Sequence, residues 1–554
     1  MIKINPLLNI DGYKSSHRLM YPKNTTLVYS NYTCRSTKRM PENSKDIVVF
    51  GIQYMCKYIN DLWNENFFKQ PKDQMINEAK EFLQSYLGME YDVSHFEALH
   101  DLGYLPIEIK ALEEGTIIKE GIPLFTIKNT HPDFFWITNF LETSLSTLIW
   151  KPVHSASLSY AYKKILTKYA KETNTDSLEF VNFQGHDFSF RGMQSIESAI
   201  SSGMGFLTSF MGTDTIPALQ GIKYYYGDDN VGFSVPASEH SVMCAHGKEE
   251  EIDTLKYLMK QYPKGILSVV SDTWNLWKLI TEYLPQLKEE ILARDGKLVI
   301  RPDSGDPVDI ICGTGREFNT FYKEGLKDGL ILSLKGEALN NSVYQNEKGE
   351  TFKLVQILGK EQCKAIQIAV EPSRKGVIEL LWDIFGGTIN EQGFKVLDHH
   401  IGAIYGDSIT LERAEQICER LKSKGFASTN VVLGIGSYSM GYATRDNQGG
   451  AVKSTYVEIH QECGKHVECC ENCTTPNGRP VGREIFKNPI TDDGTKKSAK
   501  GLLAVYKNDV GDYYLIDQIS WKEVENCELQ TVYLNGKLVK ETTFNNIRDK
   551  INNK

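Results

Sequence analysis

No stretch of this 554-residue chain approaches the roughly 20 consecutive apolar residues of a membrane-spanning helix, so a membrane protein is not expected. The start, Met-Ile-Lys-Ile-Asn-Pro, lacks the apolar core of a signal peptide, and a cytoplasmic protein is the expectation. Excess positive charge is also missing. Lys and Arg number 62 against 71 Asp and Glu, a net charge of -9. That argues against a nucleic-acid or membrane-surface binder, and an anionic ligand would need a local basic pocket. No internal repeat is evident, and there is neither a GxGxxG fingerprint nor a Walker loop. The 11 cysteines are an odd, mostly scattered set, and reduced thiols are expected. Cys463, Cys469, Cys470 and Cys473 sit near His466 in a polar loop and could bind Zn²⁺. Their spacing fits no standard finger, which favours reduced loop thiols.

What remains is an ordinary globular composition, 41% hydrophobic and 24% charged. The length exceeds one hydrophobic core, so two or more domains are expected. The chain is organised around Lys297-Leu-Val-Ile-Arg301-Pro302-Asp303-Ser304-Gly305-Asp306-Pro307. Leu298 to Ile300 reads as a buried strand. Asp306 as N-cap and Pro307 at the first helical position predict a helix start. Arg301 offers a fork for phosphate, Asp303 suits Mg²⁺, and a helix start adds free N–H groups. In isolation, an ordinary βα turn with a surface ion pair is the commoner origin of such residues, since structural ion pairs are frequent.

Along the chain, helical spacing covers Ile47 to Trp63 and Glu78 to Leu87, and strand-like alternation covers Leu105 to Ile127. Pro132 to Trp150 and Ser155 to Thr173 read as two helices. From about residue 178, short apolar runs alternate with helices. Phe206-Leu-Thr-Ser-Phe leads to Gly212-Thr-Asp214. Phe233-Ser-Val leads to Glu239-His240, and Ile266 to Val270 leads to Asp272. Leu298 to Ile300 leads to Arg301 and Asp303. Ile401 to Ile404 leads to Gly406-Asp407, and Val431 to Leu433 leads to Gly434-Ile-Gly436-Ser437. Polar residues at the same end of every run predict an irregular α/β barrel, TIM-barrel-like, with its site at the carboxyl ends of the strands. Residues 151–449 are assigned to this barrel, with a surface insertion at about 335–398. Residues 1–150 and 450–554 are β-rich and are expected to form one α+β domain, with Asn535-Gly536 as a hairpin turn.

Several groups could carry chemistry. In His186-Asp187-Phe188-Ser-Phe190-Arg191-Gly192, Phe188 could be a platform for an aromatic ligand and Arg191 a phosphate fork, or the run could be a structural His–Asp pair with core aromatics. His240, next to Glu239, could be held in one tautomer as a base or nucleophile. Arg191, Arg301, Arg445, Lys453, Lys487 and Lys496 are dispersed cations that would have to converge on a phosphate.

Together, Asp11-Gly-Tyr13-Lys14, His186-Asp-Phe188-x-x-Arg191-Gly, Gly212-Thr-Asp214-Thr, Ser234-Val-Pro-Ala-x-Glu239-His240-Ser, Ser268-Val-Val-Ser-Asp272, Ile300-Arg301-Pro-Asp303-Ser-Gly and Lys487-x-Pro resemble the nicotinamide phosphoribosyltransferase family over nearly the whole chain. The resemblance implies a homodimeric type II phosphoribosyltransferase with small-molecule substrates and no nucleic-acid or membrane partner. Nicotinamide and 5-phosphoribosyl-1-pyrophosphate (PRPP) would give nicotinamide mononucleotide and pyrophosphate, the salvage entry to NAD. ATP would be a co-substrate and Mg²⁺ a cofactor. It further implies that Phe188 and a second subunit's Tyr13 sandwich the pyridine ring, with Asp11 and Ser268 also at the substrate. Asp214 would accept the carboxamide NH₂. Arg191 and Arg301 would clamp phosphates, and Asp272 and Asp303 would hold ribose or Mg²⁺. Gly406, Asp407, Gly436, Ser437 and Arg445 would receive the ribose and 5′-phosphate, joined by Lys453, Lys487 and Lys496. His240, beside Glu239, would be phosphorylated by ATP. Ser437 and Ser408 stand where the family has glycine, which questions the loop's backbone geometry. Asp214 argues against the nearest alternative, a nicotinate phosphoribosyltransferase, because a carboxylate attracts an amide and repels another carboxylate. Retention of His240, Asp272, Arg301 and Asp303 argues against a non-catalytic binding protein.

Overall fold

The computed structural model describes all residues except 1–3, 43, 315–319, 334–341, 370, 462–478, 488–498 and 553–554. The cysteine loop and Lys496 lie outside the described residues.

Two sheets dominate the fold. One has seven strands in the order Arg479–Glu484, Gly450–Gln461, Thr25–Cys34, Pro123–Asn129, Ile107–Ala111, Gln530–Leu534 and Lys537–Leu538. All its neighbours run antiparallel, so N- and C-terminal strands interleave. Asn535 and Gly536 both take positive φ, 47° and 80°, as the tight hairpin turn requires. The strands Leu502–Lys507 and Tyr513–Ile519 pair only with each other.

The second sheet holds six parallel strands in the order Gly212–Thr213, Gly185–Asp187, Val431–Ile435, Ile401–Tyr405, Asp295–Arg301 and Lys264–Val270. Its edges meet through residues 233–237. Phe233 bridges Gly212 and Ala237 bridges Ser268, both in parallel. The sheet therefore curls into the irregular α/β barrel that the alternation predicts, with every strand pointing its carboxyl end the same way. Within Asp295–Arg301 the pleat sorts the side chains. Leu298 and Ile300 are fully buried on the helix side, while Lys297, Val299 and Arg301 line the lumen.

Three local readings change. Ile47 and Val48 form a short strand, and the helix begins only at Ile52. Phe206 to Phe210 is not a strand: Phe206 and Leu207 end the helix Ile196–Leu207, and only Gly212–Thr213 pairs. Its apolar residues are buried as a helix end, which periodicity cannot separate from a short strand. The two helices expected around Pro152 are one, Glu142–Thr173. Proline removes a helical donor, but its ring packs where a Cβ on Gly51 would fall, and burial on both sides carries the helix through. Between the barrel strands, Thr320–Gln367 supplies a separate five-stranded sheet. The following helix Pro372–Phe385 returns to the barrel's core through Val377, Ile378 and Leu381. Among the described residues no helix is long and apolar enough to cross a membrane.

Candidate active site

The carboxyl ends of the barrel strands carry the polar groups, and each is fixed by a neighbour on another strand. Asp303 follows the strand Asp295–Arg301. The turn behind it is held by Asp272, whose Oδ2 accepts from the backbone N of Asp303 (3.0 Å), the backbone N of Ser304 (2.8 Å) and the Ser304 hydroxyl. The turn ends as expected. Asp306 Oδ1 accepts from the N–H groups of Val308 (2.9 Å) and Asp309 (3.1 Å), and Pro307 opens the helix Pro307–Cys312.

His240 opens the helix His240–His246 and faces this turn. Its Nε2 lies 3.1 Å from Asp303 Oδ1, and its Nδ1 lies 2.9 Å from Thr273 Oγ1. A carboxylate only accepts, so Nε2 carries a proton here. Glu239 does not orient the imidazole, as adjacency suggested: its carboxylate accepts from the Ser241 hydroxyl. Successive residues at a helix start diverge, and the orienting groups come from other strands.

Arg301 is largely buried and donates to the Ser238 carbonyl. Burial lowers its pKa, while Asp303, Asp214 and Asp272 favour its charge and Arg191 opposes it. Arg191 is exposed on the segment after Phe188, close enough to act on Arg301.

Asp214 stands across the lumen. Burial works against its charge, yet hydrogen bonds from His186 and Ser234 outweigh this and hold its pKa below the ordinary carboxylate value. His186 Nε2 (2.9 Å) and Ser234 Oγ (2.5 Å) both meet Oδ1, leaving Oδ2 for an incoming donor. The His–Asp pair therefore joins His186 to Asp214, not to Asp187. Phe188 lies beside His186, ring centroids 4.5 Å apart. Gly434 permits this, because a Cβ there would come within 2.7 Å of the Phe188 ring. Phe188, Asp214, Ser268 and Arg301 are among the residues that line a lumen cavity of about 560 Å³. The Ser268 hydroxyl is buried without a partner, so it is available to a ligand.

The glycine-rich ends of the last two strands complete the rim. Gly406 packs against Arg301 and Asp303, a Cβ there reaching 3.2 Å from Asp303 Cβ. Ser408 adopts φ 57°, the left-handed conformation that glycine would take without cost. Its hydroxyl donates to Asp407 Oδ2 (2.9 Å) and its carbonyl accepts from Arg413 Nη1 (2.7 Å), which offsets the strain. Asp407 also approaches Gly436, 3.4 Å from where its Cβ would fall. The Ser437 side chain packs where a Cβ on Gly192 would fall, so Gly192 accommodates it.

A second group forms elsewhere on the chain. Tyr13 is exposed, and Glu142, Asp11 and Arg445 act on it. Asp11 accepts from Thr143 (2.8 Å), and Lys453 pairs with Glu142 (3.6 Å). Lys487 is exposed just beyond the strand Arg479–Glu484. Among the described residues, no hydrogen bond or ion pair joins these side chains to the barrel-mouth group. Sequence reasoning missed Thr273, Ser304, Ser234 and His186's partner. Thr273 and Ser304 each follow a chosen residue and the partner, Asp214, was itself chosen, but the contacts span 20 to 33 positions.

A carboxylate pair, an imidazole, a buried guanidinium and an aromatic wall suit group transfer between an anionic donor and a planar ring. Comparisons with known proteins agree. Residues 183–537 match the nicotinate phosphoribosyltransferase (NAPRTase) family, and residues 5–109 match the nicotinamide phosphoribosyltransferase N-terminal domain. A nicotinamide phosphoribosyltransferase of Acinetobacter baylyi is 42% identical over 99% of this chain and 97% of its own. One of Mycoplasma pneumoniae is 33% identical, covering 89% and 94%, and one of Xanthomonas campestris pv. campestris is 29% identical, covering 98% and 97%. The barrel mouth, the interleaved sheet and these matches over both together make the chain a member of the nicotinate and nicotinamide phosphoribosyltransferase family, enzymes of phosphoribosyl transfer in NAD biosynthesis.

Proposed function

We propose that the enzyme transfers 5-phosphoribose from PRPP to nicotinamide, and that ATP hydrolysis is coupled to this through His240. The observation that carries the choice of pyridine is Asp214, a carboxylate kept charged in the cavity that Phe188 also lines. A carboxamide NH₂ donates to it, whereas nicotinate's carboxylate is repelled. The ring nitrogen's lone pair attacks the anomeric carbon. The C1–N bond forms as the C1–O bond breaks, and pyrophosphate leaves with the electron pair. Arg301 and Arg191 favour the departing charge, and the carboxylates favour the cationic ribosyl centre.

Mg²⁺ fits the residues present. Asp272 Oδ1 is buried without a hydrogen-bond partner, and Asp272, Asp303 and His240 offer ligand atoms within 4.8 Å of one another. The two carboxylates are the hard oxygen donors Mg²⁺ prefers and would hold it. When bound, the ion neutralises charge on the leaving pyrophosphate. In the ATP reaction, Nε2 of His240 attacks the γ-phosphorus as its proton passes to Asp303, and ADP leaves with the bonding pair.

No hydrogen bond or ion pair among the described residues ties Tyr13, Arg445 and Lys453 to the barrel mouth, and we propose a homodimer in which each site borrows this group from a second copy. Exposed Tyr13 then covers the pyridine face opposite Phe188.

Purified enzyme with PRPP, Mg²⁺ and either pyridine tests the reading. Nicotinamide is expected to give mononucleotide, with little product from nicotinate; equal rates sink the Asp214 argument. Asp214→Asn should cut the preference for the amide by about two orders of magnitude, because a charge contrast is worth several kcal/mol. Unchanged selectivity in a competition assay refutes that. His240→Ala should abolish ATP hydrolysis yet leave ATP-independent synthesis, and full ATPase activity in that variant removes His240 from the role.

A further inference from the structure

The helix Glu142–Thr173 passes beneath the site and buries a charge there. Lys151 is 3% exposed, and its Nζ donates to the carbonyl of Met440. Met440 ends the short helix Ser437–Met440, which begins at the rim residues Gly436 and Ser437. The same long helix sends Tyr162 to this turn, its hydroxyl 2.8 Å from the Ile409 carbonyl and 3.1 Å from Ser439 Oγ. Gln194 Nε2 reaches the Gly441 carbonyl at 2.8 Å. The turn is thus tied down on its buried side.

The carboxylate whose charge acts on Lys151 is Asp187, although no ion pair or hydrogen bond joins the two side chains. Asp187 Oδ2 is buried with no hydrogen-bond partner, while Oδ1 accepts from the Ser189 N–H at 2.9 Å. Its backbone carbonyl accepts the Asp214 N–H at 3.0 Å. Asp187 therefore sits on the backbone that carries Phe188 and fixes Asp214. From its own helix, Lys151 meets the Trp150 ring (5.5 Å) and His154, which burial and Lys151 push down to about 3 and keep neutral. A lysine is almost never fully buried unless paired.

We propose that Lys151 is a positioning residue: its ammonium, with Asp187 as counter-charge, holds the Gly436–Gly441 turn at a fixed distance from the strand end bearing Phe188 and Asp214. This deepens the functional reading and rests on it, since the turn is where the 5′-phosphate of PRPP would sit. The charge behind the turn also favours an anion in front of it. Burial pushes the Lys151 pKa down to about 8, so the charge fades as pH rises through that value.

The test is steady-state kinetics of the full chain, with PRPP and nicotinamide varied separately. Lys151→Met is expected to raise KM for PRPP tenfold or more, with kcat and KM for nicotinamide within threefold of wild type. Lys151→Arg, which keeps the charge, should restore most of the donor KM. In wild type the PRPP KM should climb as pH passes 8, and in Lys151→Arg that climb should vanish. A PRPP KM unchanged in Lys151→Met, or an equal fall in all parameters, overturns the proposal. Should Lys151→Met fail to fold, coincident pH profiles for wild type and Lys151→Arg overturn it. A wild-type enzyme inactive with PRPP and both pyridines overturns the functional reading as well, whereas an active one with an unmoved donor KM overturns the role of Lys151 alone.

Discussion

Asp272→Ala is expected to lower kcat/KM for nicotinamide mononucleotide synthesis by roughly a thousandfold, the scale of losing a preorganised electrostatic group. Two losses add up at this position. The first is geometric. Asp272 Oδ2 collects the N–H of Asp303, the N–H of Ser304 and the Ser304 hydroxyl, and removing it leaves all three donors without that acceptor. Each unmade bond costs about 1–3 kcal/mol where water cannot replace it, so the turn relaxes and carries Asp303 away from His240. The second is chemical, because the free Oδ1 disappears with its charge. Asp272→Asn separates the two: its amide oxygen can still accept from the turn, so it should keep the geometry and lose only the charge. Its activity should fall between wild type and Asp272→Ala. The check is kcat/KM at several Mg²⁺ concentrations. A loss below tenfold in Asp272→Ala would remove Asp272 from the site.

Arg548→Met should be the most destabilising single change away from the site, costing about 3 kcal/mol or more. Arg548 lies on the C-terminal helix Phe544–Asn552 and is 7% exposed. Its guanidinium donates to the carbonyls of Leu207 (2.9 and 3.0 Å), Val231 (2.6 Å) and Phe210 (3.4 Å). Burial lowers its pKa to about 10, so it stays charged at neutral pH. These carbonyls end the helix Ile196–Leu207 and lead into the strand Gly212–Thr213 and the closing segment at Phe233. One side chain therefore caps a helix end and ties the C-terminal helix to the seam of the barrel. Methionine fills the volume but leaves the carbonyls unpaired. The denaturant midpoint and the rate of tryptic cleavage near residue 544 should both report the change. A midpoint shift of less than about 1 kcal/mol would show that water replaces the guanidinium.

The contrast between these positions explains how much was legible beforehand. The turn from Leu298 to Pro307 is local chemistry. An apolar run gives the strand, Asp306 gives the cap and Pro307 gives the first helical residue, all within ten positions. Alternation of such units was enough for the barrel, because each strand end is written beside its own strand. The Asn535-Gly536 hairpin was legible for the same reason.

Errors arose where local rules compete with packing. Pro152 reads as a helix break, yet the helix runs through it because Gly51 makes room for the ring. Glu239 reads as the partner of His240, yet Thr273 and Asp303 hold the imidazole from 33 and 63 residues away. Sequence by itself determined the element order, the polar ends of the strands and the residue types at the site. Only the tertiary structure decided which groups meet: His186 with Asp214, Asp272 with the Asp303 turn, Lys151 with Met440 across 289 residues. The physical reason is that strand and turn preferences act through neighbouring backbone, whereas a buried polar group must find whichever partner the closed barrel brings to it.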